Sequence, residues 1–490
     1  MFARLLPFLV ALLLAPSALA AGPTMQFGAA EDVVRSPDLP SAKAKMTLLR
    51  LAGFTSVRVT SQWSGTESAP SDAELNILRN VAGAAQLSAV KVYLSVYPKG
   101  SSVTPLTPEA REQFAAYLTV LKQQLPSVKD VIVGNEPNIN RFWLPQFTPT
   151  GTDAAAPAYV ALLARSYDAI KAVDPSTRVW GGALAPRGID RPGTGRDTHS
   201  PVAFLKDMGL AYRSSGRVLP LMDGLAFHPY ADTSGQSPDT PHPNSTTIGL
   251  ADYDRLIRTL STAFDNSPQA GSLLPILYDE FGVESRIPAG KAKAYTGAEP
   301  ATTKPVDEIT QGAYYARALQ LAFCQPNVVG ILLFHSQDEP ALASWQSGVY
   351  YADGTPKSSL YAVRDALARS RGGSIARCEG LGLDVTATKL SFPSQAAMAR
   401  DTRDVHFTCT LDCAWELRVL GAANGATRLR LTGYGRAGIP IVASLKGRKL
   451  GTGSVRFSLT LSQPVNPGEP QTQESATVSL RQAGASTMRP

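Results

Sequence analysis

Neither HExxH nor HxH occurs among the five histidines, which removes the usual helix-borne and strand-borne zinc hydrolase arrangements. After an apolar stretch at the start, no run approaches the roughly 20 apolar residues that a membrane-crossing helix needs. The first short strand-like run is followed by GAAEDVV rather than GxGxxG, so the phosphate turn of a dinucleotide fold is missing. Formal net charge is +7, yet Lys and Arg are scattered and no basic block with interleaved aromatics marks nucleic acid as a partner.

Cysteine is scarce as well: Cys324, Cys378, Cys409 and Cys413 in 490 residues. Four cysteines allow three pairings, and CTLDC puts Cys409 and Cys413 within reach of one turn, leaving Cys324 with Cys378 as the preferred second bridge. Zinc is the rival reading, supported only by His406 three residues before Cys409. Paired cysteines suit an oxidising compartment. The first twenty residues, MFARLLPFLVALLLAPSALA, point the same way: Arg4 precedes a short apolar core and small residues stand at Ala18 and Ala20. Residues 1–20 are therefore expected to be a signal peptide, cut near Ala20–Ala21, and the mature protein to be secreted with no integral membrane segment.

Past that leader, β-branched runs alternate with stretches of helical periodicity, the pattern of parallel strands joined by helical crossovers. Eight runs stand out: Thr24–Gly28, Thr55–Trp63, Val90–Pro98, Lys129–Pro137, Thr177–Pro186, Met222–Tyr230, Leu274–Gly282 and Asn327–His335. Between them lie segments such as TPEAREQFAAYLTVLKQQL, with Ser, Thr or Asp at the start and apolar residues three or four apart. Eight units over residues 21–372 match a (β/α)8 TIM barrel, with a doubly wound open sheet as runner-up. From about residue 380 the texture becomes alternating, as in VHFTCTL and SVRFSLTL, so 373–490 is expected to be an antiparallel β-sandwich acting as a spacer or stabilising module.

In a parallel barrel the chemistry sits at the strand ends. Glu136 ends the fourth run and Glu280 the seventh, on opposite sides of an eight-stranded ring. Splitting an acetal between sugars needs one carboxyl to protonate the leaving oxygen and one to attack the anomeric carbon, and two acids in one pocket fill both roles. Alternation along a strand sends Asp279 away from that pocket, and Glu284 is the reserve acid.

Here the motifs become specific. VIVGNEPN resembles the Asn-Glu-Pro signature on strand four of clan A glycoside hydrolases, the barrels that include family 5 cellulases and family 39 glycosidases; PILYDEFG is similar to their strand-seven segment. The resemblance covers about residues 24 to 370. It implies Glu136 as acid/base, Asn135 as the contact to the sugar 2-hydroxyl and Glu280 as nucleophile. AFHPY is similar to the clan's His-x-Tyr element, which implies His228 near the substrate and Tyr230 as hydrogen-bond partner of the nucleophile. SVRV implies Arg58 beside the nucleophile, and SWQSGVYYADGTPKSSLY implies Trp345 as the aromatic sugar platform. His335 is a candidate for the pocket wall. Trp63 and Trp143 are either subsite residues or buried packing, and Trp180 is read as barrel packing. The family within the clan stays open.

The expectation is thus a secreted retaining glycosidase acting on an oligo- or polysaccharide, without metal or organic cofactor. The alternative is a catalytically silent sugar-binding barrel.

Overall fold

The computed structural model describes residues 25–371, 387–394, 403–409, 413–435, 438–462, 471–474 and 478–480, with Ala396 and Met398. The expected leader at 1–20, the expected junction near 372 and Cys378 lie outside the described residues.

Eight parallel strands close into a barrel in sequence order: β1 Gln26–Ala30, β2 Ser56–Trp63, β3 Lys91–Pro98, β4 Asp130–Val133, β5 Arg178–Leu184, β6 Gly224–Phe227, β7 Ile276–Phe281 and β8 Val328–Leu333. Closure is made by β1 pairing with β8 from Gln26↔Gly330 to Ala29↔Leu333. The eight expected runs all become barrel strands. The runs 129–137 and 222–230 stop several residues early, because their polar ends leave the ladder and face the cleft.

Eight helices cover the outside: α1 Leu39–Leu51, α2 Asp72–Leu87, α3 Pro108–Gln124, α4 Ala155–Val173, α5 Pro201–Ser214, α6 Tyr253–Phe264, α7 Glu308–Cys324 and α8 Ser359–Arg371. Five of the starts follow from side-chain capping of otherwise unpaired N–H groups. Asp38, Ser71, Thr107, Ser200 and Asp307 each accept a hydrogen bond from the backbone three residues on, and α1, α3 and α5 carry Pro in the first turn, where no donor is lost.

The barrel interior is filled by Tyr93, Ile132, Trp180, Ala183, Ala226, Leu277 and Leu332. Trp180 is the packing residue it was expected to be. It lies against Gly224 so closely that a Cβ there would stand 2.3 Å from the indole, so this neighbour must be glycine.

The C-terminal strands are antiparallel and form two sheets. One has the order β13 (Pro440–Ser444), β10 (Asp404–Cys409), β9 (Ala387–Ser391). The other runs β12 (Thr427–Gly435), β11 (Cys413–Gly421), β14 (Gly453–Ser462), β15 (Gln471–Glu474), with β16 (Val478–Leu480) also on β14. Their inward positions, Val405, Phe407, Leu417, Val419, Phe457 and Leu459, are buried, as a sandwich core requires. Cys409 is bonded to Cys413. Cys324 is also in a disulfide; its expected partner, Cys378, is outside the described residues. Among the described residues no helix is long and apolar enough to cross a membrane.

Candidate active site

The loops following β1, β2 and β3 are short (31–38, 64–71, 99–107), whereas those following β4 to β8 are long (134–154, 185–200, 228–252, 282–307, 334–358). They enclose a cleft of about 960 Å³ at the strand ends.

Two backbone reversals carry Glu136 into it. The apolar strand DVIV stops at Val133; Gly134 then turns at φ 97° and Glu136 itself sits at φ 42°, a left-handed conformation that costs a residue with a Cβ. The surroundings over-determine that turn. Tyr159 donates its hydroxyl hydrogen to Val133 O (2.6 Å) and accepts from Gly182 N (2.7 Å), and Glu136 N donates to Ala183 O (2.7 Å). Asn138, fully buried, donates to the carbonyls of Ala185 and His199 and accepts from Ala185 N.

Glu280 comes from the end of β7. Its Oε1 accepts from Arg58 Nη1 at 2.6 Å and its Oε2 from the Tyr230 hydroxyl at 3.0 Å. Arg58 also donates from Nη2 to Asn135 Oδ1 (2.7 Å), which leaves the Asn135 amide N–H groups for a ligand. His228 Nδ1 lies 3.0 Å from Glu136 Oε1 and 3.6 Å from Glu280 Oε2. The two carboxylates are therefore no further apart, oxygen to oxygen, than those two distances laid end to end.

Asp279 does not point away from the site as strand alternation predicts. It is fully buried beneath it, with Oδ2 at 3.1 Å from Arg58 Nε and 3.4 Å from His228 Nε2, within ion-pair distance though out of line for hydrogen bonds. The reason is local: the β7–β8 register shifts between Tyr278 and Phe281, so the inside/outside rule lapses where both acids emerge.

These charges set one another's protonation. Burial opposes a charge on His228, but Glu280 and Asp279 outweigh it and raise the imidazole to about 10, so it is a cation at neutral pH. Burial likewise opposes ionisation of Asp279, and the cations His228 and Arg58 override it and hold its carboxyl low. Tyr230 is pushed well above the ordinary phenol range by burial and by the negative charges of Glu280 and Glu136, so it stays a donor. Glu284, on the cleft wall, is raised to about 7 by burial first and then by the charge of Glu299.

Trp345 lines the cleft, with its ring 5.3 Å from Tyr230 and 5.2 Å from Phe334. Thus Arg58, Asn135, Glu136, His228, Tyr230, Glu280 and Trp345 all meet around one cavity, and His335 also lines it. Trp63 and Trp143 do not reach it: both are buried, against Phe114 and Tyr159 respectively. Sequence reasoning passed over Tyr97, Arg187 and Phe142, which line the cleft. The strand-end rule could have found the first two, since Tyr97 is in β3 and Arg187 follows β5; Phe142, deep in a long loop, left no such signal. Among the described residues no group of three or more His, Cys, Asp or Glu is arranged to hold a metal ion.

No protein-family model matches the chain, and a search of curated proteins gave no match. Solved structures similar to it include the Bacteroides uniformis beta-glucuronidase, at 12% identity and TM-score 0.44, matching 94% of this chain. This chain spans 46% of the length of that protein. A GH5_18 protein from Bifidobacterium longum subsp. infantis matches at 16% identity and TM-score 0.46, over 72% of this chain and 80% of its own. A GH5_18 protein from Streptomyces cattleya, solved in complex with GlcNAc, gives 16% and 0.47 over 72% and 81%. At these values they add nothing to what the eight-stranded closure establishes by itself.

Proposed function

We propose that this chain is a retaining glycoside hydrolase in which Glu280 is the nucleophile and Glu136 the acid/base. One observation carries the reading: carboxylates from β4 and β7 face a single cleft across one imidazole nitrogen. The span that this nitrogen permits suits the ~5–5.5 Å of retaining enzymes and falls short of all but the bottom of the ~6.5–9.5 Å range of inverting ones.

In the first step a Glu280 oxygen bonds to the anomeric carbon while the Glu136 carboxyl gives its proton to the departing glycosidic oxygen. In the second, Glu136 takes a proton from water, the water oxygen bonds to the same carbon, and Glu280 leaves as carboxylate. Arg58 and Tyr230 each donate to one oxygen of the nucleophile and hold it in place. The bond from His228 engages Glu136 Oε1, leaving Oε2 for the leaving group. The Asn135 amide is placed to donate to a sugar hydroxyl, and Trp345 offers a flat apolar ring to a pyranose face. Export belongs to the same reading, supported by the leader-like composition before Ala21.

A panel of aryl glycosides, with the anomer of the first product followed by NMR, tests the proposal. Retention is expected, together with a loss of about 10⁴-fold in kcat for Glu280→Gln. Wild-type protein that binds glycans without cleaving any, with Glu280→Gln altering affinity alone, would establish a binding barrel instead.

A further inference from the structure

The surplus positive charge of this protein is not spread along the chain. Up to residue 386 the acidic and basic side chains are equal in number, and the entire excess of +7 lies after it. Part of that excess is exposed on the larger C-terminal sheet and on the turn that leads into β14. Arg418 on β11 is registered opposite Arg430 on β12, so both project from the same face, while Leu417 and Val419 between them turn inward and are buried. Their side chains are 50% and 62% exposed. Glu416 lies between them, accepting from Arg418 Nε and, at 2.9 and 2.5 Å, from Arg430 Nε and Nη2.

At the end of the sheet, Arg428 donates to the carbonyls of Leu450 (3.1 Å) and Thr452 (2.9 Å). Those bonds hold the turn after β13 beside the sheet, and that turn, KGRK, exposes Lys446, Arg448 and Lys449. Arg418 and Arg430 on the sheet and Lys446, Arg448 and Lys449 on the turn are thus five exposed cations of this region. The acids among its described residues are Glu416, Asp404, opposite Ser444 at the base of the turn, and Glu474, registered to Ser458 and through it to Arg418.

We propose that this basic face is a binding site for a carboxylate-bearing polysaccharide, a polymer containing uronic acid residues, which tethers the barrel to its substrate or to the matrix that contains it. Planar guanidinium forks match carboxylates, and the bridge that Glu416 makes between Arg418 and Arg430 shows a carboxylate in that geometry on this surface. Thr432 and Thr460, registered on either side of Glu416, add hydroxyls suited to sugars. Trp415 on β11 packs against Phe407, on the side of the sheet away from Arg418 and Arg430. The choice of a sugar polymer rests on the glycosidase reading of the barrel; the charge argument does not.

The test uses the full chain bearing Glu280→Gln, so that no polymer is cut, and measures binding to polygalacturonate across a series of salt concentrations. Dextran, chondroitin sulfate, duplex DNA and anionic vesicles are run beside it. Saturable binding to polygalacturonate that weakens with salt is expected, with none to dextran. The combined variant Arg418→Ser, Arg430→Ser, Lys446→Ser, Arg448→Ser, Lys449→Ser should weaken it by about tenfold or more, and the corresponding Arg→Lys variant, which keeps the charge but not the fork, should weaken it less. In the Glu280 background the Ser variant should keep wild-type aryl-glycoside turnover, which also reports that it is folded. Absent binding, binding that the Ser variant leaves unchanged, or tighter binding to DNA, vesicles or the sulfated glycan would overturn the proposal. Failure of the glycosidase reading would show separately, as absent turnover with polygalacturonate binding intact.

Discussion

The barrel and the C-terminal sheets use charge in opposite ways. In the barrel the signs balance, and the decisive charges are hidden: Arg58, His228 and Asp279 are buried, and each is answered by an opposite charge within a few ångströms. In the sheets one sign prevails and the charges stand in water. Buried charge is costly to remove from solvent and so is fixed in geometry, which chemistry at a bond requires; exposed like charge is screened and adaptable, which suits a polymer of variable shape.

Breaking the buried side should do the most damage. Arg58→Met strands Glu280 and Asp279 without their shared cation, and a loss of about 3–5 kcal/mol is expected in urea unfolding of the barrel, along with activity. A loss below ~1 kcal/mol would place this pair with surface ion pairs and dissolve the contrast.

The next largest effect is one of pH. His228 is raised in the folded state from 6.5 to about 10, so its contribution to stability is complete below pH 6.5 and fades as pH rises through about 10. The unfolding midpoint should therefore fall over that alkaline window in the wild type, and His228→Gln should flatten that part of the curve. An unchanged slope in the variant would refute the assignment of charge to this histidine.

Trp345→Ala tests the wall rather than the charges. KM for an aryl glycoside is expected to rise about tenfold with kcat nearly unchanged, because a stacking face is lost without touching the acids. At the small end, Glu416→Gln on the exposed face should change stability by no more than about 1 kcal/mol, while affinity for polygalacturonate increases as two arginines are released.

Much of the site was legible because barrel geometry converts a one-dimensional rule into a place: an acid at the end of a strand-like run faces the cleft. That rule found Glu136 and Glu280, and motif likeness added Asn135, Arg58, His228 and Tyr230. It failed at Asp279, where a register shift suspends alternation, and it ranked Trp63 and Trp143 level with exposed platforms because burial under a loop leaves no periodic trace. Glu284 was named as a reserve acid, but its shift to about 7 depends on burial and on Glu299.

Local pattern alone determined the order of strands and helices, the change of texture after the barrel and the bridge between Cys409 and Cys413, because hydrophobic periodicity, capping residues and short spacings act over a few residues. Tertiary structure alone decided that His228 is shared by two carboxylates from β4 and β7, that Arg58 serves Glu280 and Asp279 together, and that Arg418 and Arg430 stand opposite each other on adjacent strands. Those depend on strand register and on groups far apart in the chain coming within about 4 Å, where charges interact strongly and sequence distance carries no information.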